Sequence, residues 1–229
     1  MTFKLILSAI NKDLFESFKQ HFSSFPQVEV VFKSFEQVDF DCVVAAANSF
    51  GLMDGGIDQC IADYFGIQII DKVQAQIIQQ YYGEQPVGTS LIVLAKETVN
   101  NNMRKYKYVA HTPTMRIPMD IDQTSNTYMA MKAMLIAVET HNLLNDKIVG
   151  NESYKINSVV CPGLGTNTGR VPVEEAAKMM ALAFYHFFNP PTSISWYFAT
   201  KRHAEIQNRM IAELDDYTNI DLSKFEDLI

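Results

Sequence analysis

The chain has 229 residues, 48% of them hydrophobic, with 19 Lys and Arg against 26 Asp and Glu, for a formal net charge of −7. That length and apolar content suit one large domain, or a domain with an appendage, and exclude a wholly disordered chain. The acidic balance and the scattered cations exclude duplex nucleic acid as the leading partner, because duplex binding needs phosphates to be neutralised along a basic stripe.

Strand and helix patterns alternate along the chain. Residues 3–10 form a continuous apolar run, which predicts a strand buried on both faces. The run is too short to span a membrane and lacks the flanks of a convincing signal peptide. Asn11 suits an N-cap, and Leu14, Phe15, Phe18 and Phe22 then recur at helical spacing. Strands are predicted over 28–32 and 42–47, and helices over 58–65 and 69–82. Further strands are predicted over 90–95 and 106–112. A long Ala- and Met-rich helix starts at Ser125 or Asn126 and runs to about residue 144. A strand over 157–161 and a helix over 173–188 follow, with Pro172 suited to the first turn and Asn189-Pro190-Pro191 ending it. Residues 196–198 are predicted as a short strand or a packing patch, 200–214 as a helix, and 215–229 as an acidic tail. The alternation predicts an α/β fold with a largely parallel sheet covered on both faces.

Cys42, Cys60 and Cys161 are odd in number and match no zinc spacing; two lie in apolar runs and read as buried thiols. A reducing, cytoplasmic setting is expected. No metal site or cofactor is expected, and His111 and His186 read as histidines with local hydrogen bonds.

Two loops stand out. After the strand at 42–47 come Asn48 and a loop with Gly51, Gly55 and Gly56, followed by Ile57 and Asp58 at a helix start. Glycines at a strand's carboxyl end let backbone N–H groups approach a phosphate, and the next helix N-terminus favours negative charge. Asn48 offers a donor and an acceptor to a ribose hydroxyl. Taken alone, Asp58 is as well explained as a helix cap, and the glycines as turn formers. The second loop repeats the pattern: the strand ending at Cys161 leads into Pro162-Gly163-Leu164-Gly165-Thr166-Asn167-Thr168-Gly169-Arg170, then a helix. Two such loops on one sheet edge can clamp a diphosphate. Neither is a P-loop or a dinucleotide-fold fingerprint.

These segments, in this order, resemble the macro domain family. Asp41-Cys42-Val43-Val44-Ala45-Ala46-Ala47-Asn48 resembles its Asp-Ala-Ile-Val-Asn-Ala-Ala-Asn run, and Gly55-Gly56-Ile57-Asp58 its Gly-Gly-Val-Asp. Tyr108-Val109-Ala110-His111-Thr112 resembles Tyr-Val-Ile-His-Thr, and 162–172 the second phosphate-binding loop. The resemblance covers roughly residues 1–190 and implies a three-layer α/β/α fold with a central, largely parallel mixed sheet; residues 191–229 are expected as an extension. It implies an ADP-ribose pocket. Asn48 would hold the distal ribose, and Gly55, Gly56 and Ile57 would pack against that ribose and its phosphate. Asp58 would activate water. Gly163, Gly165, Thr166, Asn167, Thr168, Gly169 and Arg170 would surround the diphosphate. The chain departs from the family at Ala45, where the first Asn stands, and at Ser34, near the Asp that reads adenine. Phe35 is the candidate to stack on adenine, with Glu36 or Asp39 replacing the carboxylate. Arg116, in the stretch 111–120, is a candidate wall residue near a phosphate, or part of an ordinary connection.

Three functions follow as expectations. The first is hydrolysis of an ADP-ribosyl linkage, in mono-ADP-ribosyl protein, ADP-ribose 1″-phosphate or O-acetyl-ADP-ribose, with Asp58 and Asn48 as catalytic residues. The second is a non-catalytic ADP-ribose reader. The third is a structural or interaction protein that keeps the loops for the fold alone. ADP-ribose or an ADP-ribosylated protein is the expected partner, with no membrane; the oligomeric state is open.

Overall fold

Successive residues of the central strands turn toward two different cores. In β3 (Cys42–Asn48), Cys42 and Val44 join one apolar cluster while Val43 and Ala45 join the other. In β6 (Ser158–Cys161), Val159 and Cys161 face the first cluster and Val160 the second. This period of two, with apolar residues on both faces, is what a doubly covered sheet requires. A computed structural model describes residues 3–100, 103–148 and 154–208.

The sheet has six strands in the order β2-β1-β6-β3-β5-β4. The remaining strands are β1 (Lys4–Ser8), β2 (Val28–Val31), β4 (Leu91–Asn100) and β5 (Met103–Met115). All neighbours are parallel except β4, which runs antiparallel to β5 at one edge. Helices α1 (Lys12–His21), α4 (Asn126–Ile148) and α5 (Val173–Phe188) cover one face, burying Phe18, Met131, Met134, Met180 and Phe184. Helices α2 (Gly56–Phe65) and α3 (Gln68–Tyr81) cover the other with Ile61, Ile69, Val73 and Ile77. The architecture is therefore a three-layer α/β/α fold with a mixed, mostly parallel sheet. No helix among the described residues is long and apolar enough to cross a membrane.

Three of the differences from the sequence expectation have a visible local cause. β4 runs to Asn100 rather than 95, because β5 continues beside it and supplies backbone partners. Helix α2 starts at Gly56, which makes Asp58 its third residue rather than its first. Residues 196–198 form neither strand nor patch but the first turn of α6 (Trp196–Asn208). The Ser195 hydroxyl accepts from the Phe198 N–H at 3.2 Å, a cap that the aromatic run obscured. The end of the predicted 200–214 helix and the acidic 215–229 segment lie outside the described residues. Glu205 of α6 is buried and bonds the His186 ring at 2.9 Å, and the other ring nitrogen of His186 meets the Tyr128 hydroxyl at 3.0 Å. This link fastens α6 to α4 and α5.

Candidate functional site

The carboxyl ends of β3, β5 and β6 meet on one sheet edge, where parallel crossovers leave room for a ligand. The first loop leaves β3 at Asn48, which is buried; its Oδ1 accepts from the Phe50 N–H at 2.9 Å. That bond turns the chain sharply and leaves the amide nitrogen as the group Asn48 can offer outward. Gly51 follows at φ +61°, and a Cβ there would lie 2.8 Å from Val73 Cγ1 and 2.9 Å from Ile77 Cδ1. Only glycine lets this loop sit so close on α3. Met53 also adopts a left-handed φ of 50° and is fully buried, an anchor bought with backbone strain.

Gly55 and Gly56 lie exposed at the start of α2, and Ile57 is half-buried. Asp58 is 4% exposed, and its Oδ1 has no hydrogen-bond partner. Burial, with a smaller push from Asp54, raises its pKa from 3.8 to about 7. The start of a helix favours a carboxylate, yet here desolvation prevails. A buried carboxyl with an open oxygen costs free energy unless something fills that position.

The second loop leaves β6 at Cys161. Gly165 adopts φ +78°, and a Cβ on Gly169 would lie 2.6 Å from the Gly165 carbonyl oxygen. The Ile121 N–H donates to Gly169 O at 3.0 Å, and the Thr127 hydroxyl donates to Leu164 O at 3.2 Å. Gly163 packs under Leu14 of α1. These three glycines let the loop fold tightly against its neighbours. Thr166 is half-buried and donates to Gly163 O at 3.3 Å, while Asn167, Thr168 and Arg170 are exposed. The two loops approach each other: a Cβ on Gly56 would lie 3.5 Å from Asn167 Nδ2.

Phe35 does not join them. It is 3% exposed, within the core on the α2 and α3 side, with its ring 5.5 Å from Tyr64 and 6.1 Å from Phe40. The aromatic surface at this end belongs to Phe32, 54% exposed just past β2. It is tilted against Phe15 of α1 at 5.4 Å, and the Ser8 hydroxyl ties the adjoining Lys33 carbonyl to β1 at 2.6 Å. The sequence contained that signal, since Phe32 directly follows a strand while Phe35 opens a turn of 3-10 helix. Asp39 is paired with Lys107 at 3.4 Å, and Glu36 accepts from the Ser34 hydroxyl at 3.2 Å.

His111 lies behind the first loop, fully buried. Its Nδ1 meets Gln85 Oε1 at 2.6 Å, and Gln85 Nε2 donates to Thr89 Oγ1 and to His111 O. Those amide bonds orient Gln85 so that His111 Nδ1 carries the proton. Burial lowers the pKa of the ring to about 3, so it is neutral at physiological pH.

Residues 44–180 match the family model described as Macro domain. An uncharacterized protein of Aquifex aeolicus is 34% identical over 153 residues, covering 67% of this chain and 78% of that protein. Among solved structures, the macrodomain of Mycobacterium tuberculosis DarG is 17% identical, with a TM-score of 0.47, over 66% of this chain and 84% of that one. An Oceanobacillus iheyensis macrodomain mutant with ADPR is 18% identical, with a TM-score of 0.48, over 67% of this chain and 73% of that one. With the family model spanning more than half of the chain, and a relative 34% identical over 67% of it, this protein belongs to the Macro domain family.

Proposed function

We propose that the two loops bind ADP-ribose and that the protein hydrolyses an ADP-ribosyl linkage at the distal ribose. The observation that carries this reading is Asp58: a buried carboxyl with an unpartnered oxygen, at the head of the helix that follows the first loop. The diphosphate lies between Gly55-Gly56-Ile57 and 163–170, held by backbone N–H groups, with Asn167 and Arg170 on its open side. The Asn48 amide nitrogen donates to a hydroxyl of the distal ribose. The exposed ring of Phe32 offers the adenine a stacking face, the role that Phe35 cannot fill from the core.

For a linkage at C1″, the Asp58 carboxylate accepts a proton from water as the water oxygen bonds to the anomeric carbon; the bond from that carbon to the acceptor breaks, and the acceptor leaves with the electron pair and takes up a proton from solvent. For an acetyl ester the same water bonds to the acetyl carbonyl carbon, and the ribose oxygen leaves with the electron pair and takes up a proton. A carboxyl with a pKa of about 7 is a better base than an ordinary aspartate and is still substantially ionised at neutral pH. The three free thiols fit a reducing, cytoplasmic setting for this chemistry.

The test pairs titration calorimetry on ADP-ribose with turnover of mono-ADP-ribosyl protein, ADP-ribose 1″-phosphate and O-acetyl-ADP-ribose. Binding on the order of micromolar is expected, and Asp58→Ala is expected to lower turnover about a hundredfold or more with much smaller change in affinity. Binding without turnover of any substrate makes the protein a reader. No binding at millimolar ligand removes both assignments.

A further inference from the structure

Ser49, the residue after Asn48, is held by backbone bonds on both sides. Its N–H donates to the Arg116 carbonyl at 3.1 Å, and its carbonyl accepts from the Gln85 N–H at 2.9 Å. The two segments so anchored carry an ion pair between them. Arg116 Nε donates to Glu84 Oε1 at 2.6 Å and Nη2 to Oε2 at 3.0 Å, a two-pronged match of fork to carboxylate. The guanidinium also lies over the ring of Phe50, 5.7 Å from its centre. Phe50 is in turn bonded through its N–H to Asn48 Oδ1. In the sheet, Asn48 pairs with Met115, so Arg116 follows directly beyond the strand end that carries Asn48.

An exposed ion pair contributes little to stability, and Arg116 is 64% exposed. The arrangement does, however, hold the guanidinium in one orientation. The bonds to Glu84 use Nε and one Nη2 hydrogen, which leaves the Nη1 hydrogens and the second Nη2 hydrogen directed away from the carboxylate. Arg116, one residue past Met115, which pairs with Asn48, is a cation set beside the strand end that carries Asn48.

We propose that Arg116, oriented by Glu84 and Phe50, is a specificity residue that favours ADP-ribosyl compounds bearing a phosphate on the distal ribose over those bearing a neutral group there. This rests on the placement of the distal ribose beside Asn48. The phosphate joins the guanidinium through its free hydrogens, while Glu84 and the Phe50 ring keep the fork from swinging into solvent.

The test is titration calorimetry at low salt with three probes: ADP-ribose, its 1″-O-methyl derivative, and a 1″-phosphonomethyl analogue whose carbon bridge cannot be hydrolysed. The wild-type protein is expected to bind the phosphonate roughly tenfold tighter than the methyl compound. Arg116→Ala is expected to abolish that preference while changing the other two affinities by no more than about twofold. Added salt is expected to shrink the wild-type preference. Equal wild-type affinities, or a preference that survives Arg116→Ala, overturn the proposal. The double variant Arg116→Gln with Glu84→Gln guards against repulsion from an unpaired Glu84. It is expected to lack the preference, and a restored preference overturns the assignment. Failure of the wild-type protein to bind ADP-ribose itself shows instead that the underlying reading of the site is wrong.

Discussion

Gly56 and Asn167 face each other across the gap between the two loops, with 3.5 Å between the position of a Gly56 Cβ and Asn167 Nδ2. The first comes from the β3-to-α2 connection and the second from the β6-to-α5 connection. Their approach makes one cleft of two loops that are more than a hundred residues apart in the chain.

ADP-ribose bound between the loops is expected to stabilise the fold by mass action. With a dissociation constant on the order of 10 μM, 1 mM ADP-ribose contributes about 2.7 kcal/mol. For a chain of this size the melting temperature is expected to rise by about 5–10 °C, read by scanning calorimetry. ADP-ribose that leaves the melt unmoved contradicts the site.

The second loop depends on glycine for contact rather than for flexibility. A Cβ on Gly169 meets the Gly165 carbonyl at 2.6 Å and Ile121 Cγ1 at 2.7 Å. The carbonyl is backbone and cannot step aside without moving the loop. Gly169→Ala is expected to cost about 1–3 kcal/mol in urea unfolding and to weaken ADP-ribose binding with it. A variant with wild-type stability and affinity shows that the loop does not require this close approach.

Asp58 is expected to make stability and the proposed turnover respond to pH in opposite directions. Its folded pKa, about 7, lies above its ordinary value of 3.8. Between these values the native state holds a proton that the unfolded state has released, so stability falls as pH rises. The full effect is about 4 kcal/mol at most. Asp58→Asn removes it, so the variant is expected to melt above the wild type at pH 8 and close to it at pH 4. In the proposed reaction turnover needs the ionised form and is expected to rise with pH through about 7. A wild-type melting profile that matches Asp58→Asn across this range contradicts the burial argument.

Phe32 and Phe35 separate binding from folding. Phe35 is embedded among Phe40 and Tyr64, and Phe35→Ala is expected to cost about 3–5 kcal/mol of stability. Phe32 is largely exposed, so Phe32→Ala is expected to leave the melt nearly unchanged. Its ADP-ribose affinity is expected to fall about fivefold or more, from lost stacking. An unchanged affinity shows that adenine does not use this ring.

Glu205 tests how α6 is held. Glu205→Ala leaves the buried His186 ring without its partner at 2.9 Å. A loss of about 1–3 kcal/mol is expected in thermal or urea unfolding. A neutral result shows that the Glu205–His186 bond does not hold α6 to α4 and α5.

The sequence by itself determined the order of elements and the two loops. Apolar runs of strand length, alternating with helical spacing, require a doubly covered sheet, and glycines at strand ends mark where backbone comes close to something else. Residue type also marked Asn48 as suited to a ribose hydroxyl, while a role for Asp58 toward water came only from the resemblance to the family. Tertiary structure decided what those residues can do. Whether Asp58 titrates as an ordinary carboxylate depends on burial, a property of the packed whole, which leaves one oxygen unpartnered and raises its pKa. Which phenylalanine is available to a ligand depended on the 3-10 turn that rotates Phe35 into the core and leaves Phe32 outside. Arg116, equally readable as a wall residue or an ordinary connection, acquired a specific environment only because Ser49 brings Glu84 and Phe50 to it from distant parts of the chain. Local patterns specify local conformation, but electrostatics and access depend on neighbours that only the fold assembles.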